Sequence, residues 1–217
     1  MSLIEDLKVE KVVDAGTRDR ALRVLREVYA AEKGWVQVPE QVFPLADLDN
    51  PSLCWFLAEK GGRPVGVTRV LYELPRGLYQ SYELKLVDPR LDIEAFLAKH
   101  RLAEVGRFAV VPEERQNIRI AAILMRAATT ETVERGFTHF ITDVFEADPN
   151  SPYQFHRRIL GFEVVATHDH GEMQVQSRRI TMLLDLKAAF ERLSLRRSWI
   201  YRFITQGNDR LLQQLSA

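Results

Sequence analysis

The sequence is poor in cysteine, in long apolar runs and in excess charge of either sign, and each absence excludes a class of protein. Cys54 is the single cysteine, so no disulfide can form within the chain and a metal site built from cysteines is excluded. Because it lies in the apolar run SLCWFLAE, we interpret it as a core residue rather than a nucleophile. Thirty basic and thirty acidic residues give a formal net charge of +0, so nucleic acid is not an expected partner.

Membrane-spanning and secreted proteins are also not expected. No uninterrupted apolar segment has the length of a membrane span, and the N-terminal run MSLIEDLKVEKV is too charged for a secretory signal. We therefore expect a cytoplasmic protein. Its 217 residues, 46% hydrophobic and 28% charged, fit one large globular domain or a domain with an appendage.

Apolar periodicity predicts an order of helices and strands that indicates the fold class. The predicted elements are a helix after Thr17, a hairpin from PSLCWFLAEK to VGVTRVLYE, a strand in GLYQSYELKLVD, a helix in LDIEAFLAKHR, a strand from Glu104 to Val111, a helix in NIRIAAILMRAATTETVERG, a strand in FTHFITDVFEA, a helix in SPYQFHRRILG and a hairpin in FEVVATHDHGEMQVQSRRITMLLDL. A helix, antiparallel strands and then alternating strands and helices predict an α/β (α+β) fold with a mixed sheet.

The end of the sequence predicts a C-terminal helical extension, residues 187–217, after a domain formed by residues 1–186. Its candidate buried positions are Phe190, Leu193, Trp199, Ile200, Phe203, Ile204, Leu211, Leu212 and Leu215. We expect these helices to pack on the domain or to form a homodimer contact. A lid over an acyl chain and a peripheral membrane helix are the alternatives. The membrane alternative depends on four arginines, Arg192, Arg196, Arg197 and Arg202.

A strand, a polar turn and a helix follow one another in the run EVGRFAVVPEERQNIRIAAILMRAA, from Glu104 to Ala128. A helix that starts after such a turn presents free backbone N–H groups and the positive end of its dipole, which together bind anions. Four side chains of the turn suit the phosphate of coenzyme A or phosphopantetheine: Arg115, Gln116, Asn117 and Arg119. The alternative is a solvated loop whose charges serve solubility.

Two motifs resemble the GNAT superfamily of N-acyltransferases. In the turn, Gln116, Arg119 and Ala121 fall on the first, fourth and sixth positions of the superfamily's phosphate-binding pattern, with Arg119 where a glycine is usual. Downstream, FHRRILGFEVV is similar to the superfamily's later helix and strand, with His156 at the position of a tyrosine. The resemblance extends from about residue 65 to residue 186. It implies a central, mixed, mostly antiparallel sheet flanked by helices.

The N-terminal half resembles the acyl-homoserine lactone synthases and the long-chain N-acyl amino acid synthases within this superfamily. The residues that carry this resemblance are Tyr29, Trp35, Asp47, Asp49, Arg69, Glu104 and Arg107. It implies transfer of a medium or long acyl group from acyl carrier protein or acyl-CoA to the amino group of an amino acid or similar amine, with no tightly bound cofactor. An acetyl-CoA-dependent N-acetyltransferase is the alternative, and a non-catalytic module that binds acyl groups or coenzyme A is a second one.

Roles for particular residues follow from the chemistry of amide formation and from the resemblance. Glu104 is the candidate base, because a strand carboxylate in a dry cleft can have its pKa raised toward neutrality. An ion pair of Glu104 with Arg107 or Arg69 is the alternative, and a bulge at Gly106 could bring Glu104 and Arg107 to one side of the strand.

The remaining roles concern the donor and the acceptor. By resemblance, the amides of Val110 and Val111 receive the thioester carbonyl and the pantetheine arm. His156 is a candidate proton donor to the thiolate, since an imidazole titrates near neutral pH, although an exposed surface position is the more common one for such a histidine. Trp35, Arg69 and Asp47 are candidate acceptor-binding residues, with Arg69 on the carboxylate and Asp47 on the ammonium.

A second polar cluster, in the run THDHGE, contains His168, His170 and Glu172. Alternating positions on a hairpin can share one face and bind a metal ion. Without a supporting cysteine, and with Gly171 suited to a turn, we interpret the run as an ordinary polar hairpin and expect no metal.

Overall fold

The computed structural model describes residues 7–75, 77–171, 173, 175 and 177–216. The strands are β1 (Leu7–Lys11), β2 (Leu53–Lys60), β3 (Arg63–Leu71), β4 (Lys85–Leu86), β5 (Leu102–Val110), β6 (His139–Phe145), β7 (Glu163–His168) and β8 (Arg179–Asp185). The helices are α1 (Ala15–Leu25), α2 (Leu78–Ser81), α3 (Ile93–Lys99), α4 (Ile118–Glu134), α5 (Leu186–Leu195), α6 (Trp199–Thr205) and α7 (Asp209–Ser216). Two π-helical segments, Arg26–Glu32 and Phe155–Leu160, and the 3-10 turns Pro39–Gln41, Leu45–Asp49 and Pro112–Glu114 complete the elements.

The predicted fold class is confirmed, since the chain is a mixed α/β protein with eight mostly antiparallel strands and flanking helices. The chain forms two compact units. The first is Met1–Leu71 with Gly106–Thr130, and the second is Tyr72–Val105 with Glu131–Ala217. The predicted boundary between residues 186 and 187 stays a prediction.

The first unit contains β1, β2, β3 and the second half of β5, hydrogen-bonded in that order. β2 and β3 form the predicted hairpin, in which Leu57 lies opposite Val67. α1 begins with a capping box, because the Asp14 carboxylate accepts from the Thr17 amide at 2.7 Å and the Thr17 hydroxyl accepts from the Asp14 amide at 3.2 Å. The helix contacts β2 and β3.

Close packing in the first unit depends on Gly66 of β3. A β-carbon at this position would lie 3.0 Å from Ile120 Cγ2, 3.1 Å from Leu124 Cδ1 and 3.2 Å from the carbonyl oxygen of Ala109. Ile120 and Leu124 are buried residues of α4, and Ala109 belongs to β5. The absence of a side chain therefore lets the start of α4 lie directly on the sheet.

The second unit contains the first half of β5 and then β6, β8, β7 and β4. β5 pairs with β6 in parallel, in a register that runs from Leu102 opposite His139 to Glu104 opposite Ile141. The pairings of β6 with β8, of β7 with β8 and of β4 with β7 are antiparallel. The pairing of β7 with β8 confirms the last predicted hairpin.

An apolar cluster in the second unit explains why one predicted strand is wrong. Tyr79 and Tyr82 are buried with Leu102 and Ile141. Their spacing of three residues suits one face of a helix, and residues 78–81 form α2, whereas only Lys85 and Leu86 pair as β4. Tyr79 lies in α2 and Tyr82 directly after it, so tertiary packing of these two rings, and not a strand, accounts for the apolar pattern at the start of GLYQSYELKLVD.

The C-terminal helices are formed as predicted, and four of their nine candidate apolar positions are buried. Ile200, Ile204, Leu211 and Leu215 are buried, whereas Trp199 is exposed, contrary to prediction. Among the described residues, no helix combines the length and the apolar character that a bilayer span needs.

Candidate functional site

The turn between β5 and α4 begins at Pro112 and leads into a helix of 17 residues. The side chain of Asn117 acts as its cap, because Asn117 Oδ1 accepts from the Arg119 amide at 3.3 Å. Gln116 and Arg119 are exposed, and Ala121 is half-buried one turn into the helix. The helix therefore presents its positive end beside an amide and a guanidinium, as the sequence predicts.

Ion pairs fix this turn within the first unit. Glu113 pairs with Arg63, and Glu114 accepts from Lys60 Nζ at 3.0 Å. Burial, followed by the neighbouring Glu113 carboxylate, raises the pKa of Glu27, which lies in the first π-helical segment. These contacts connect the turn to β2, β3 and the segment after α1.

Arg115 of the turn is engaged by an acid, which the sequence does not predict. Its Nη1 donates to Glu32 Oε1 at 2.7 Å, and its Nη2 also contacts the same carboxylate. The charge of Arg115 is therefore partly neutralised by Glu32. Within the described part of the chain Arg119 forms no ion pair, so Arg119 is the arginine of the turn that presents its full charge.

The end of β5 modifies the prediction for the oxyanion donors. The amide of Val111 donates to the carbonyl oxygen of Val65 at 3.0 Å, so it is occupied by the sheet. The prediction that an amide here receives the thioester carbonyl stands for Val110 and not for Val111.

β5 is irregular where the sequence predicts a bulge at Gly106. Arg107 has φ of 50°, in the left-handed region that residues other than glycine rarely adopt. The Gly106 carbonyl oxygen accepts from the Thr68 hydroxyl at 3.1 Å. A regular alternation of sides does not continue through a residue with this backbone angle, so the side chains around Arg107 are redirected.

Asp47 is the centre of a charged cluster in the first unit. Its Oδ2 accepts from Trp55 Nε1 at 3.0 Å. Burial raises the pKa of Asp47, whereas the Trp55 hydrogen bond and the charges of Arg69, Arg18 and Arg107 act in the opposite direction. One half-buried carboxylate therefore lies in the field of several guanidinium groups.

Packed and hydrogen-bonded neighbours surround this cluster. Arg69 is buried on β3 directly opposite Trp55, so their side chains share one face of the hairpin. The Trp55 ring stacks on Phe43 at 4.0 Å between centroids. Arg18 donates through Nε to the carbonyl oxygen of Phe43 at 3.0 Å. The sequence does not predict roles for Trp55, Phe43 and Arg18. The pairing of Trp55 with Arg69 across the predicted hairpin is the signal that could have indicated Trp55.

Trp35 follows the first π-helical segment and is half-buried. Its ring lies 5.3 Å from that of Tyr29, and Lys33 Nζ lies 4.4 Å from its centroid. The i to i−5 hydrogen bond from Lys33 to Val28, 3.1 Å long, widens the helix there. Such π-helical turns are frequent at functional sites.

Glu104 and His156 lie in the second unit. Glu104 is half-buried and is the last residue of β5 in register with β6. His156 is 1% exposed and lies against the rings of Phe155 and Phe162. Burial lowers the pKa of His156 to about 4, so the expectations of surface exposure and of titration near neutral pH are both wrong.

The THDHGE run is divided between core and surface. His168 is buried, with Nε2 3.2 Å from Asp143 Oδ1 and its ring stacked on Tyr82, whereas His170 is exposed. Glu172 lies outside the described residues. In the part of the chain that the structure describes, no group of three or more histidine, cysteine or acidic residues is arranged to hold a metal ion.

Comparisons with known proteins identify the family and the fold. A family model described as N-acyl amino acid synthase FeeM matches residues 20–177, which is more than half of the chain. A comparison with curated protein sequences gave no match.

Solved structures show the same fold. The structure of FeeM, an N-acyl amino acid synthase from uncultured soil microbes, matches with a TM-score of 0.66 and 20% identity over 90% of this chain and 99% of that one. An N-acetyltransferase from Staphylococcus aureus Mu50 matches with a TM-score of 0.60 and 13% identity over 83% and 99% of the two chains. An aminoglycoside 6'-N-acetyltransferase complexed with coenzyme A matches with a TM-score of 0.56 and 14% identity over 82% and 96%. The fold and the family match together confirm the predicted resemblance. The chain belongs to the N-acyl amino acid synthase FeeM family, a family of acyltransferases of the GNAT type.

Proposed function

We propose that the protein transfers a medium or long acyl group from a pantetheine thioester to the amino group of an amino acid, giving an N-acyl amino acid. The family match supports N-acyl transfer as the type of reaction. The charged cluster around Asp47 supports an amino acid as the acceptor, and it is the observation on which the proposal depends.

An amino acid carries an ammonium and a carboxylate about two bonds apart, and the cluster offers a complementary group for each. Asp47 would accept the ammonium, in exchange for water that its burial has already partly removed. Arg69 would bind the carboxylate, since a guanidinium can form two parallel hydrogen bonds to it. Arg18 is committed to the Phe43 carbonyl, so it adds positive charge rather than a direct contact.

The donor would bind through its phosphate at the start of α4. Gln116 and Arg119 are exposed there, and the amides of the first turn of α4 point the same way as the positive end of its dipole. Phosphopantetheine is common to coenzyme A and acyl carrier protein, so this site accommodates either donor.

Bond formation requires a neutral amine. A base, the role that the resemblance gives to Glu104, takes one proton from the ammonium, and the nitrogen then attacks the thioester carbonyl. In the first unit, the Val110 amide would stabilise the developing oxyanion. Collapse of the tetrahedral intermediate then forms the amide C–N bond and breaks the C–S bond. The nitrogen loses its second proton as it becomes the amide, the leaving thiolate gains one proton, and the proton on the base is released to water, so one proton is released overall.

A group other than His156 donates the proton to the thiolate. With a pKa of about 4, His156 is neutral at physiological pH and holds no proton that it releases easily. Tyr153, whose hydroxyl oxygen accepts from Arg157, is the better proton donor, with water as its source of replacement. The role of Glu104 rests on the resemblance to GNAT enzymes. Tyr153 is the alternative to His156, which occupies the superfamily's tyrosine position.

The test is product analysis. Purified protein is incubated with acetyl-CoA, palmitoyl-CoA or palmitoylated acyl carrier protein, each with a panel of amino acids, and products are identified by mass spectrometry. We expect an N-palmitoyl amino acid and little acetylation. Absence of any N-acyl amino acid would overturn the proposal, and N-acetyl products alone would overturn the preference for long chains.

A variant tests the base. Glu104→Gln should lower kcat at least about tenfold, which is about 1.4 kcal/mol of barrier, with a small change in KM. Glu163→Gln is the matched control, since Glu163 is an exposed strand carboxylate in the same unit. Equal effects of the two substitutions would contradict the role of Glu104.

A further inference from the structure

The connection between α5 and α6 exposes two large apolar side chains close together in the sequence. Leu195 is 86% exposed and Trp199 is 38% exposed. A single exposed apolar residue on a surface needs no explanation, but a leucine and a tryptophan separated by three polar residues do. We call residues 195–199, together with Arg202 of α6, the C-terminal tip.

The charge of the C-terminal tip is positive and unbalanced. Arg196, Arg197 and Arg202 are exposed, and within the described residues none of them forms an ion pair. Glu191 is the one acid between residues 187 and 202. Arg192, by contrast, is used inside the fold, because its Nη2 donates to the carbonyl oxygen of Leu160 at 2.9 Å.

Arg197 has a backbone conformation that residues other than glycine rarely adopt. Arg197 has φ of 47°, at the end of α5 where its amide donates to Ser194 O and the Ser198 amide donates to Leu193 O. Helices that end this way usually have glycine at the left-handed position, since any other residue is strained there. An arginine at this position lowers the stability of the fold relative to glycine, but it places a positive charge on the surface.

We propose that the C-terminal tip docks the protein reversibly on an anionic lipid surface. Trp199 and Leu195 enter the headgroup region, where a tryptophan ring is favoured, while the three arginines pair with lipid phosphates. The contact is peripheral. The buried Ile200 and Ile204 of α6 hold the tip on the fold while its outer residues face the lipid.

An anionic membrane fits the tip better than an acidic protein does. Arginines alone suit either partner, but an exposed leucine and tryptophan beside them match the apolar layer just below lipid headgroups. A product with an acyl chain and a carboxylate also partitions into such a surface, although the docking does not depend on the proposed reaction.

Flotation of the full-length protein with vesicles tests the proposal. We expect binding to vesicles of phosphatidylcholine mixed with phosphatidylglycerol, weak binding to phosphatidylcholine alone, and release by salt. Each arginine removed should weaken binding about fivefold, so the combined variant R196Q/R197Q/R202Q should bind about a hundredfold more weakly. Emission of Trp199 should shift to the blue on anionic vesicles, and W199F should remove the shift.

Matched variants separate the tip from general charge. The control R26Q/R90Q/R210Q removes three exposed arginines that are each paired with an acid, Glu40, Asp88 and Glu134. It should bind vesicles as the unaltered protein does. R197G should bind about fivefold more weakly and melt at an equal or higher temperature, because the strain is relieved.

Two results would overturn the proposal. One is equal loss of vesicle binding in the tip and control variants. The other is an absence of binding to anionic vesicles, including the case in which the tip variants lose affinity for acyl carrier protein instead. Acyl transfer from a soluble donor should be unchanged in all these variants, so failure here is distinct from failure of the proposed reaction.

Discussion

Substituting Gly66 by alanine should weaken the fold and the donor site together. The new methyl group would lie 3.0 to 3.2 Å from Ile120, Leu124 and the main chain of Ala109, where ordinary contacts begin at about 3.4 Å. The two side chains can give way by a few tenths of an ångström, but the Ala109 carbonyl belongs to the sheet and moves less. Inserting a methyl group into a packed interior costs about 1–3 kcal/mol.

The expected loss of stability for G66A corresponds to a fall in Tm of about 2–12 °C for a chain of this size. Thermal and urea unfolding, followed by circular dichroism, would measure it. The pressure on α4 should also raise KM for the thioester donor, because the start of that helix is the proposed phosphate site.

Gly16 provides the control for this substitution. A β-carbon there meets only Asp14 Oδ1 at 3.4 Å, inside the first turn of α1. G16A should therefore leave stability equal or raise it by about 0.5–1 kcal/mol. In the variant G66A/I120A the new methyl group occupies space vacated by Ile120, so the double variant should lose less stability than the sum of the two single ones. A G66A protein as stable as the unaltered one would refute the close packing of α4.

Three further predictions concern charge. Burial raises the pKa of Asp47, so the ionised carboxylate opposes folding above that pKa. D47N should therefore unfold at an equal or higher urea concentration at pH 7, while kcat/KM for the amino acid falls at least about tenfold. A loss of stability in parallel with the loss of activity would contradict this. E32Q should remove the ion pair of Arg115 and strengthen coenzyme A binding up to about fivefold at low salt, as measured by calorimetry. Weaker binding would contradict a phosphate site at this turn. His156, with its pKa lowered to about 4, binds a proton less readily in the folded than in the unfolded state. The free energy of unfolding should therefore fall by about 3 kcal/mol between pH 6.5 and pH 4. The NMR signal of His156 should titrate near pH 4, and titration near pH 6.5 would show that it is not buried.

Local pattern was sufficient for much of the fold and for part of the site. The β2–β3 hairpin follows from two apolar runs joined by a glycine-containing turn, and α4 follows from its apolar face and its cap. β1 is not predicted because it is a short, charged edge strand without a buried residue. α2 is misread because Tyr79 and Tyr82 are buried by tertiary packing.

Some of the candidate site residues could be named from the sequence, and others could not. Asp47, Arg69 and Arg107 can be named because the resemblance marks each of them locally. The pairing of Arg115 with Glu32 joins residues 83 positions apart, and the burial of His156 depends on the rings that surround it. Contacts of this range are set by the folded chain, so no sequence window contains them.

A crystal structure with coenzyme A and an acceptor amino acid would test the central claim most directly. The account predicts a phosphate group within hydrogen-bonding distance of the first amides of α4 and of Arg119, and an amino acid with its carboxylate on Arg69 and its ammonium on Asp47. A phosphate bound elsewhere, with side chains of the protein filling the start of α4, would contradict it.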